Sequence, residues 1–302
     1  MLSATGQYAA LLRHELSARN ASYATLHRLP HVTSYQQPPV VVYQLSRCGR
    51  RHGNFIPASY QAILRRPEWR RRLRKVHSQG NHALPKADCI WRELDSSMSS
   101  DALLMNIFSY PGVTKRRELS SLLGTQPEDV PEFGFRPRVP LISNRVERTE
   151  VDMKLGHVLF EAKLTEGDFQ VQDAELVEQY CALKEVFECR NLPRQGRQYI
   201  SYQLLRNVLA AFALDLDFCV LLDARRVAHT VVLKMKTSEF KILTRSCTPD
   251  TPPSSCEELT DIALKLRERV ALGPQQRYRL VGVGLSNFRE DERTRAQPDL
   301  FE

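Results

Sequence analysis

The stretch Thr149-Glu150-Val151-Asp152-Met153-Lys154-Leu155-Gly156-His157-Val158-Leu159-Phe160-Glu161-Ala162-Lys163 alternates apolar with charged residues on either side of a glycine. Successive side chains of a strand point to opposite faces, so this pattern reads as a β-hairpin. With Leu155-Gly156 as the turn, Val151, Met153, Val158, Phe160 and Ala162 share an apolar face, and Glu150, Asp152, Leu159, Glu161 and Lys163 share the other. Asp152 then stands diagonally across from Glu161. Diagonal neighbours lie about 7–8 Å apart at the backbone, within reach of a single divalent cation shared by two carboxylates.

Those residue types together suit phosphodiester cleavage. Mg²⁺, or Mn²⁺ in its place, takes oxygen ligands and keeps several waters, which fits Asp152, Glu161 and one backbone carbonyl. Such an ion polarises a phosphate and helps to generate hydroxide. Lys163, two residues past Glu161 on the same face, is placed to hold the attacking water or to offset charge developing on the phosphate. The same alternation is also what a half-buried antiparallel hairpin with a solvated face shows, and spacing alone does not separate the two readings.

Asp152 and the Glu161-Ala162-Lys163 triplet, separated by eight residues, resemble the signature of the PD-(D/E)xK nuclease superfamily. Ser99-Ser100-Asp101-Ala102-Leu103-Leu104-Met105-Asn106-Ile107-Phe108 upstream and Tyr202-Gln203-Leu204-Leu205-Arg206-Asn207-Val208-Leu209 downstream resemble segments of a bacterial restriction-endonuclease-like family within it. The resemblance covers roughly residues 90–226. It departs from the family at Asp101, where glutamine is usual, and in lacking the superfamily's proline before Asp152. It implies an α/β fold with a mixed sheet, Mg²⁺ or Mn²⁺ as cofactor on Asp152 and Glu161, Lys163 as the catalytic cation, and Glu150 or Gln203 in support.

Local signals fit that order. An apolar-periodic helix is expected over Ala102–Tyr110, closed by Pro111, and a second over Arg116–Leu123. The proline-rich run Val130–Pro140 reads as an extended connector into the hairpin, followed by helices around Ala174–Leu192 and Tyr199–Leu214 and a buried strand, Phe218–Leu222. Earlier, Tyr8–Leu16 is weakly helical and Val40–Tyr43 is β-like, with Pro38-Pro39 between them.

Charge is distributed unevenly. The chain carries a net +8, yet residues 1–80 hold 13 Lys and Arg against 2 Asp and Glu, and the remaining 222 residues hold 30 against 33. The densest part is Arg65-Arg66-Pro67-Glu68-Trp69-Arg70-Arg71-Arg72-Leu73-Arg74-Lys75. Guanidinium groups clustered around an aromatic suit polyphosphate, so Arg70, Arg71, Arg72, Arg74 and Lys75 are expected DNA contacts. A plain solvated face is the other reading of such a run.

Beyond Arg226 the resemblance changes. His229–Lys236, Phe240–Ser246, a helix over Cys256–Ala271 and Tyr278–Phe288 resemble the little-finger domain of Y-family translesion polymerases, the DNA polymerase IV type among them. Val232, Lys234 and Lys236 alternate with Val231, Leu233 and Met235, so one side of the strand can pack on the helix while lysines meet a phosphate backbone. The resemblance implies damaged-DNA binding, with Arg245, Ser246 and Thr248 as further phosphate contacts. The strand and long helix that open a little finger are missing, as is a palm domain with its carboxylates, so the chain is not expected to polymerise DNA on its own. Gln297-Pro298-Asp299-Leu300-Phe301 resembles the peptide with which bacterial polymerases dock on the sliding clamp, Gln297 hydrogen bonding and Leu300 and Phe301 filling an apolar pocket.

Composition bounds the rest. With 42% hydrophobic and 26% charged residues, no apolar run of about 18 residues and no secretory pattern at the N-terminus, a cytoplasmic protein without membrane partners is expected. Seven cysteines without a Cys-x-x-Cys pair read as reduced thiols. The expected organisation is a basic region over 1–88 belonging to the nuclease-like domain, a core over 89–226, a partial little finger over 227–288 and a tail over 289–302. Two functions fit: a Mg²⁺-dependent endonuclease of DNA repair carrying a DNA-holding segment, or a non-catalytic module from a truncated gene fusion that holds DNA and the clamp.

Overall fold

The computed structural model describes residues 4–35, 37–46, 49–76, 92–166, 169–222, 226–237, 242–251, 253, 256–270 and 278–290. These fall into two compact units, Met1–Leu222 and Asp223–Glu302. The first opens with helix α1 (Ala4–Leu26) and the short strands β1 (His31–Thr33) and β2 (Val41–Tyr43), which pair antiparallel. Ala24 packs on Val41 and Tyr43, so the helix extends well past the expected Tyr8–Leu16. Helices α2 (Pro57–Arg65) and α3 (Pro67–Arg72) each start on a proline, whose fixed φ and missing N–H suit a first helical turn. Helix α4 (Ser100–Phe108) is capped by Ser99, whose hydroxyl accepts from the Ala102 N–H at 3.1 Å. Helix α5 (Arg117–Leu123) ends on left-handed Gly124.

The run expected as a bare connector contains strands. β3 (Glu132–Phe135) joins the main sheet, and β4 (Val139–Pro140) pairs with β5 (Val146–Glu147). The hairpin follows as β6 (Val151–Leu155) and β7 (Val158–Lys163). Next come β8 (Val171–Asp173), α6 (Ala174–Val177), α7 (Leu183–Val186), β9 (Arg194–Gln195) and β10 (Gln198–Ile200). The single helix expected over 174–192 is therefore three isolated turns, α6, α7 and a tight turn over Cys189–Asn191, because Leu183, Val177 and Tyr180 bury into the core from an irregular chain with no continuous apolar stripe. Helix α8 (Tyr202–Leu214) and strand β11 (Asp217–Leu222) complete the unit.

The main sheet has the order β11-β7-β6-β3, parallel between β11 and β7 and antiparallel elsewhere. Leu104 and Phe108 of α4 pack with Met153, Leu155, Phe160 and Ala162 in one cluster. Leu205, Leu209 and Ala210 of α8 pack with Val151 and Leu159 in another. The sheet thus lies between helices, a mixed α/β architecture. A third cluster joins Trp69, Ile63 and Tyr60 to Leu94, Ala102 and Met105, and the Trp69 indole N–H donates to the Pro131 carbonyl at 2.8 Å. That bond fixes α3 beside the entry to β3.

The hairpin register differs from the expected one. Leu155 pairs with Val158 and Met153 with Phe160, so the turn is Gly156-His157. Gly156 takes φ +54°, and a Cβ there would fall 2.3 Å from the Asp129 carboxylate, which places the glycine at the turn's first corner. The slide is two residues, which preserves faces where one residue would have inverted them. Val151 is the exception. It packs with the α8 cluster while Met153 packs with the α4 cluster. The ladder between β3 and β6 is interrupted at the same level, between Phe133↔Met153 and Phe135↔Val151, where Gly134 has φ +70°. Alternation is lost around Asp152 because the paired strands are irregular there.

The second unit holds β12 (Arg226–Thr237), β13 (Ile242–Cys247), α9 (Cys256–Glu268) and β14 (Tyr278–Glu290). Its sheet order is β13-β12-β14, all antiparallel. Val231, Leu233 and Met235 bury against Leu259, Ile262 and Leu266 of α9, as the alternation over 231–236 requires.

Candidate functional site

Asp152 sits where the hairpin ladder stops. The last pair is Met153↔Phe160, and one residue further the Asp152 carboxylate, through Oδ2, accepts the Ala162 N–H at 2.8 Å. The side chain thus replaces a ladder acceptor. Continuing the register sets Asp152 directly across from Glu161, a closer relation than the expected diagonal. β7 itself runs on beside β11, with Glu161 opposite Val220 and Lys163 opposite Leu222, so both residues stand on a strand paired along its length.

Glu161 is 1% exposed. Its Oε1 lies 3.3 Å from Lys163 Nζ, and its Oε2 accepts from Asn207 Nδ2 at 2.8 Å. Asp152 has no ion-pair partner among the described residues. Burial foremost, then the negative charges of Glu161 and Asp101, push the Asp152 carboxyl well above the ordinary carboxylate range, against the weaker pull of the Ala162 N–H and Lys75. Of the two carboxylates, Glu161 has the Lys163 ammonium and Asp152 has only the Ala162 N–H. Hard oxygen donors of this kind fit Mg²⁺ or Mn²⁺, which bind proteins through one or two carboxylates and retain water. Asp152 and Glu161 would hold the ion. Among the described residues no group of three or more His, Cys, Asp or Glu forms a metal cluster.

Glu150 and part of the basic run meet in a neighbouring cluster. Arg72 donates through Nη2 to both Asp101 oxygens, at 2.7 and 3.0 Å, and through Nη1 to Glu150 at 2.6 Å. Lys75 Nζ reaches Asp101 at 2.9 Å, Glu93 at 3.0 Å and Glu150 at 3.4 Å. Burial works to raise Asp101, but the charges and hydrogen bonds of Arg72 and Lys75 outweigh it and hold the carboxyl below its ordinary value. Glu150 is likewise held down by Arg72 against its own burial. Gly134 makes room for this, since a Cβ there would lie 2.1 Å from Arg72 Nη1. Arg72 and Lys75, expected on phosphate, therefore spend their charge on internal carboxylates up to 78 positions away in the chain. Arg70, Arg71 and Arg74 are exposed. So are Arg65 and Arg66, the latter lying 4.5 Å over the Trp69 ring.

Gln203, expected in support, enters α8 with its backbone N–H on the Phe169 carbonyl and its Oε1 buried without a hydrogen bond. The residue that holds Glu161 is instead Asn207, one turn further along. The signal was in the sequence: Arg206-Asn207 is a polar pair within the apolar run Leu204–Ala211, and both side chains are buried. Asp101, which departs from the family pattern, is the hub of the Arg72 cluster.

In the second unit, Arg245 pairs with Leu233 in register and lies on the α9 side, where its Nε donates to the Arg269 carbonyl at 3.2 Å. A guanidinium at the end of a helix suits the exposed carbonyls and the dipole there. Ser246 and Thr248 are exposed, and Thr248 shares a hydrogen bond of 2.8 Å with Thr230. Lys234 and Lys236 stand across from Thr244 and Ile242 on β13, and their side chains lie outside the described residues. Gln297, Leu300 and Phe301 also lie outside them. Among the described residues no helix is long and apolar enough to cross a membrane.

Comparison with known proteins fits both resemblances. A stretch of 77 residues is 64% identical to DNA polymerase IV of Stenotrophomonas maltophilia strain K279a, covering 26% of this chain and 21% of that protein. Over 76 residues the chain is 60% identical to DNA polymerase IV of Xanthomonas oryzae pv. oryzae strain MAFF 311018, 25% of this chain and 21% of that one. Over 70 residues it is 41% identical to DNA polymerase kappa of Caenorhabditis elegans, 22% and 11% of the two chains. The chain thus spans about a fifth of the length of the polymerase IV relatives it matches. No solved structure matches. A family described as Restriction Endonuclease associating with ARP matches residues 21–266, a wider span than the expected 90–226. The chain belongs to that restriction endonuclease family, and with the polymerase IV likeness this places it among DNA-processing proteins.

Proposed function

We propose that Asp152, Glu161 and Lys163 form the centre of a Mg²⁺- or Mn²⁺-dependent DNA endonuclease. The observation that carries this reading is the placing of half-buried Asp152 and buried Glu161 on adjacent strands, with Lys163 on Glu161, in a unit where the other acidic pair, Asp101 and Glu150, is neutralised by Arg72. A bound divalent ion would polarise the scissile phosphate and supply hydroxide from its water. Asp152 and Glu161 would hold the ion. Lys163, 3.3 Å from Glu161 and 11% exposed, sits where its ammonium can orient the attacking water and offset charge on the phosphate. The exposed arginines 65, 66, 70, 71 and 74 offer a phosphate-binding surface on the same unit.

The second unit is read as an additional DNA-holding surface, centred on Ser246, Thr248, Lys234 and Lys236, and the tail peptide Gln297, Leu300 and Phe301 as a sliding-clamp ligand. One observation favours a non-catalytic DNA-binding reading of the whole chain: both Glu161 oxygens already have partners. Incubation of the full chain with supercoiled and single-stranded DNA and Mg²⁺ or Mn²⁺ separates the two. Cleavage that Lys163→Ala abolishes is the result expected of the endonuclease. DNA bound but intact at every cation concentration would leave the binding module as the function.

A further inference from the structure

Arg206 is 5% exposed and has no carboxylate in ion-pair range among the described residues. A buried guanidinium without an acidic partner is costly, so its neutral contacts carry the reason for its place. It makes three. Nε and Nη2 donate to Asn207 Oδ1 at 3.1 and 2.9 Å, and Nη2 also donates to the Glu150 carbonyl at 3.2 Å. Asn207, wholly buried, donates in turn through Nδ2 to Glu161 Oε2 at 2.8 Å.

The chemistry of these groups fixes their order. Arginine has donors only, whereas an amide has a carbonyl oxygen on one side and an NH₂ on the other. Two Arg206 donors therefore hold the Asn207 oxygen, and a flipped amide would set N–H against N–H on one side and oxygen against carboxylate on the other. The amide has one acceptable orientation, and in it a donor faces Glu161. The same guanidinium grips the chain at residue 150, two positions before Asp152. One side chain of α8 thus ties down the approach to Asp152 and, through Asn207, the carboxylate of Glu161.

Resting on the reading of Asp152 and Glu161 as a cation site, we propose that Arg206 and Asn207 are positioning residues: Arg206 sets the Asn207 amide, and Asn207 sets the Glu161 carboxylate for the ion. Partners that orient a ligating carboxylate typically account for about 10–100-fold in metal affinity or activity. Asn207→Leu keeps size but loses the donor. Arg206→Lys keeps charge but loses the two-pronged hold on Oδ1.

The test is calorimetric titration of the full chain with Mn²⁺, beside an unfolding midpoint for each variant. Expected are a loss of about 10-fold or more for Asn207→Leu, a smaller loss for Arg206→Lys, and no further loss in the double variant, because the two act in series. Wild-type affinity in Asn207→Leu, no change in Arg206→Lys, or losses that multiply in the double variant would each overturn the relay while leaving the cation site standing. If Asn207→Leu does not fold, Arg206→Lys alone decides, since a purely electrostatic role predicts no change there. Wild-type protein that takes up no Mn²⁺ overturns the cation site itself, and the relay with it.

Discussion

Two acidic pairs lie within the first unit, and the protein treats them in opposite ways. Asp101 and Glu150 are gripped by Arg72, with Lys75 beside them, and both carboxyls are held below their ordinary values. In the hairpin pair only Glu161 has an ammonium, that of Lys163, and burial and the charges of Glu161 and Asp101 lift Asp152 well above its ordinary value. Burial is common to both places, so burial alone does not decide. What differs is whether a cation was built in. A carboxylate matched by an internal guanidinium is structural, and a pair left with surplus negative charge fits a cation supplied from outside.

The largest effect should come from removing the built-in cation. Arg72→Met removes the guanidinium from buried Asp101 and half-buried Glu150 and leaves Lys75 as the cation beside both, and breaking a buried pair in this way costs up to about 3–5 kcal/mol. Urea unfolding should show it, and a loss under about 1 kcal/mol would mean that the cluster behaves as a surface pair. Next is Gly134→Ala, which puts a methyl group against the pinned Arg72 guanidinium at a left-handed backbone position. A cost of about 1–3 kcal/mol is expected, and it should shrink in an Arg72→Met background because the two share one space.

The two pairs should also respond to pH with opposite sign. A raised native pKa means that the folded chain binds the proton more tightly, so the Asp152 contribution erodes as pH climbs from about 3.8, its ordinary value, through the raised one. Asp101, with a lowered native pKa, contributes stability above its ordinary value and loses it as pH falls through the lowered one. In unfolding curves free of divalent cations, Asp152→Asn should therefore exceed the wild type in stability at neutral pH, and Asp101→Asn should fall below it. The same ranking for both variants would erase the contrast. Smallest in stability is the exposed set: Arg70, Arg71 and Arg74 changed together to alanine should move unfolding by no more than about 0.5 kcal/mol per site. DNA affinity should nevertheless weaken, and the slope of log affinity against log salt should decrease by up to about three. An unchanged slope would remove these arginines from the DNA surface.

The hairpin was legible because apolar alternation survives a register slide of two residues; its turn was not, because Leu155-Gly156 and Gly156-His157 share the same glycine. Val151 escaped the pattern, since the irregularity at Gly134 lies in a strand that the sequence showed only as a proline-rich connector. The basic run gave its charge but not its partition. Arg72 and Lys75 turn inward to carboxylates 18 to 78 residues distant, and a pairing over such separations leaves no trace in local spacing. Asn207 was missed for a different reason. An amide carries no charge and belongs to no acid–base or metal signature in the hairpin, and only its burial within an apolar helix marks it.

The most direct test of the uncompensated pair needs no DNA. Thermal or urea unfolding of the full chain with and without Mg²⁺, for wild type and Asp152→Asn, reports whether the folded protein binds a cation at this place. A hundredfold excess over Kd stabilises by about 2.7 kcal/mol, so a Mg²⁺-dependent rise in wild type that Asp152→Asn lacks is the predicted result. An equal response in both proteins, or none in either, would contradict the assignment of Asp152 and Glu161 as a cation site.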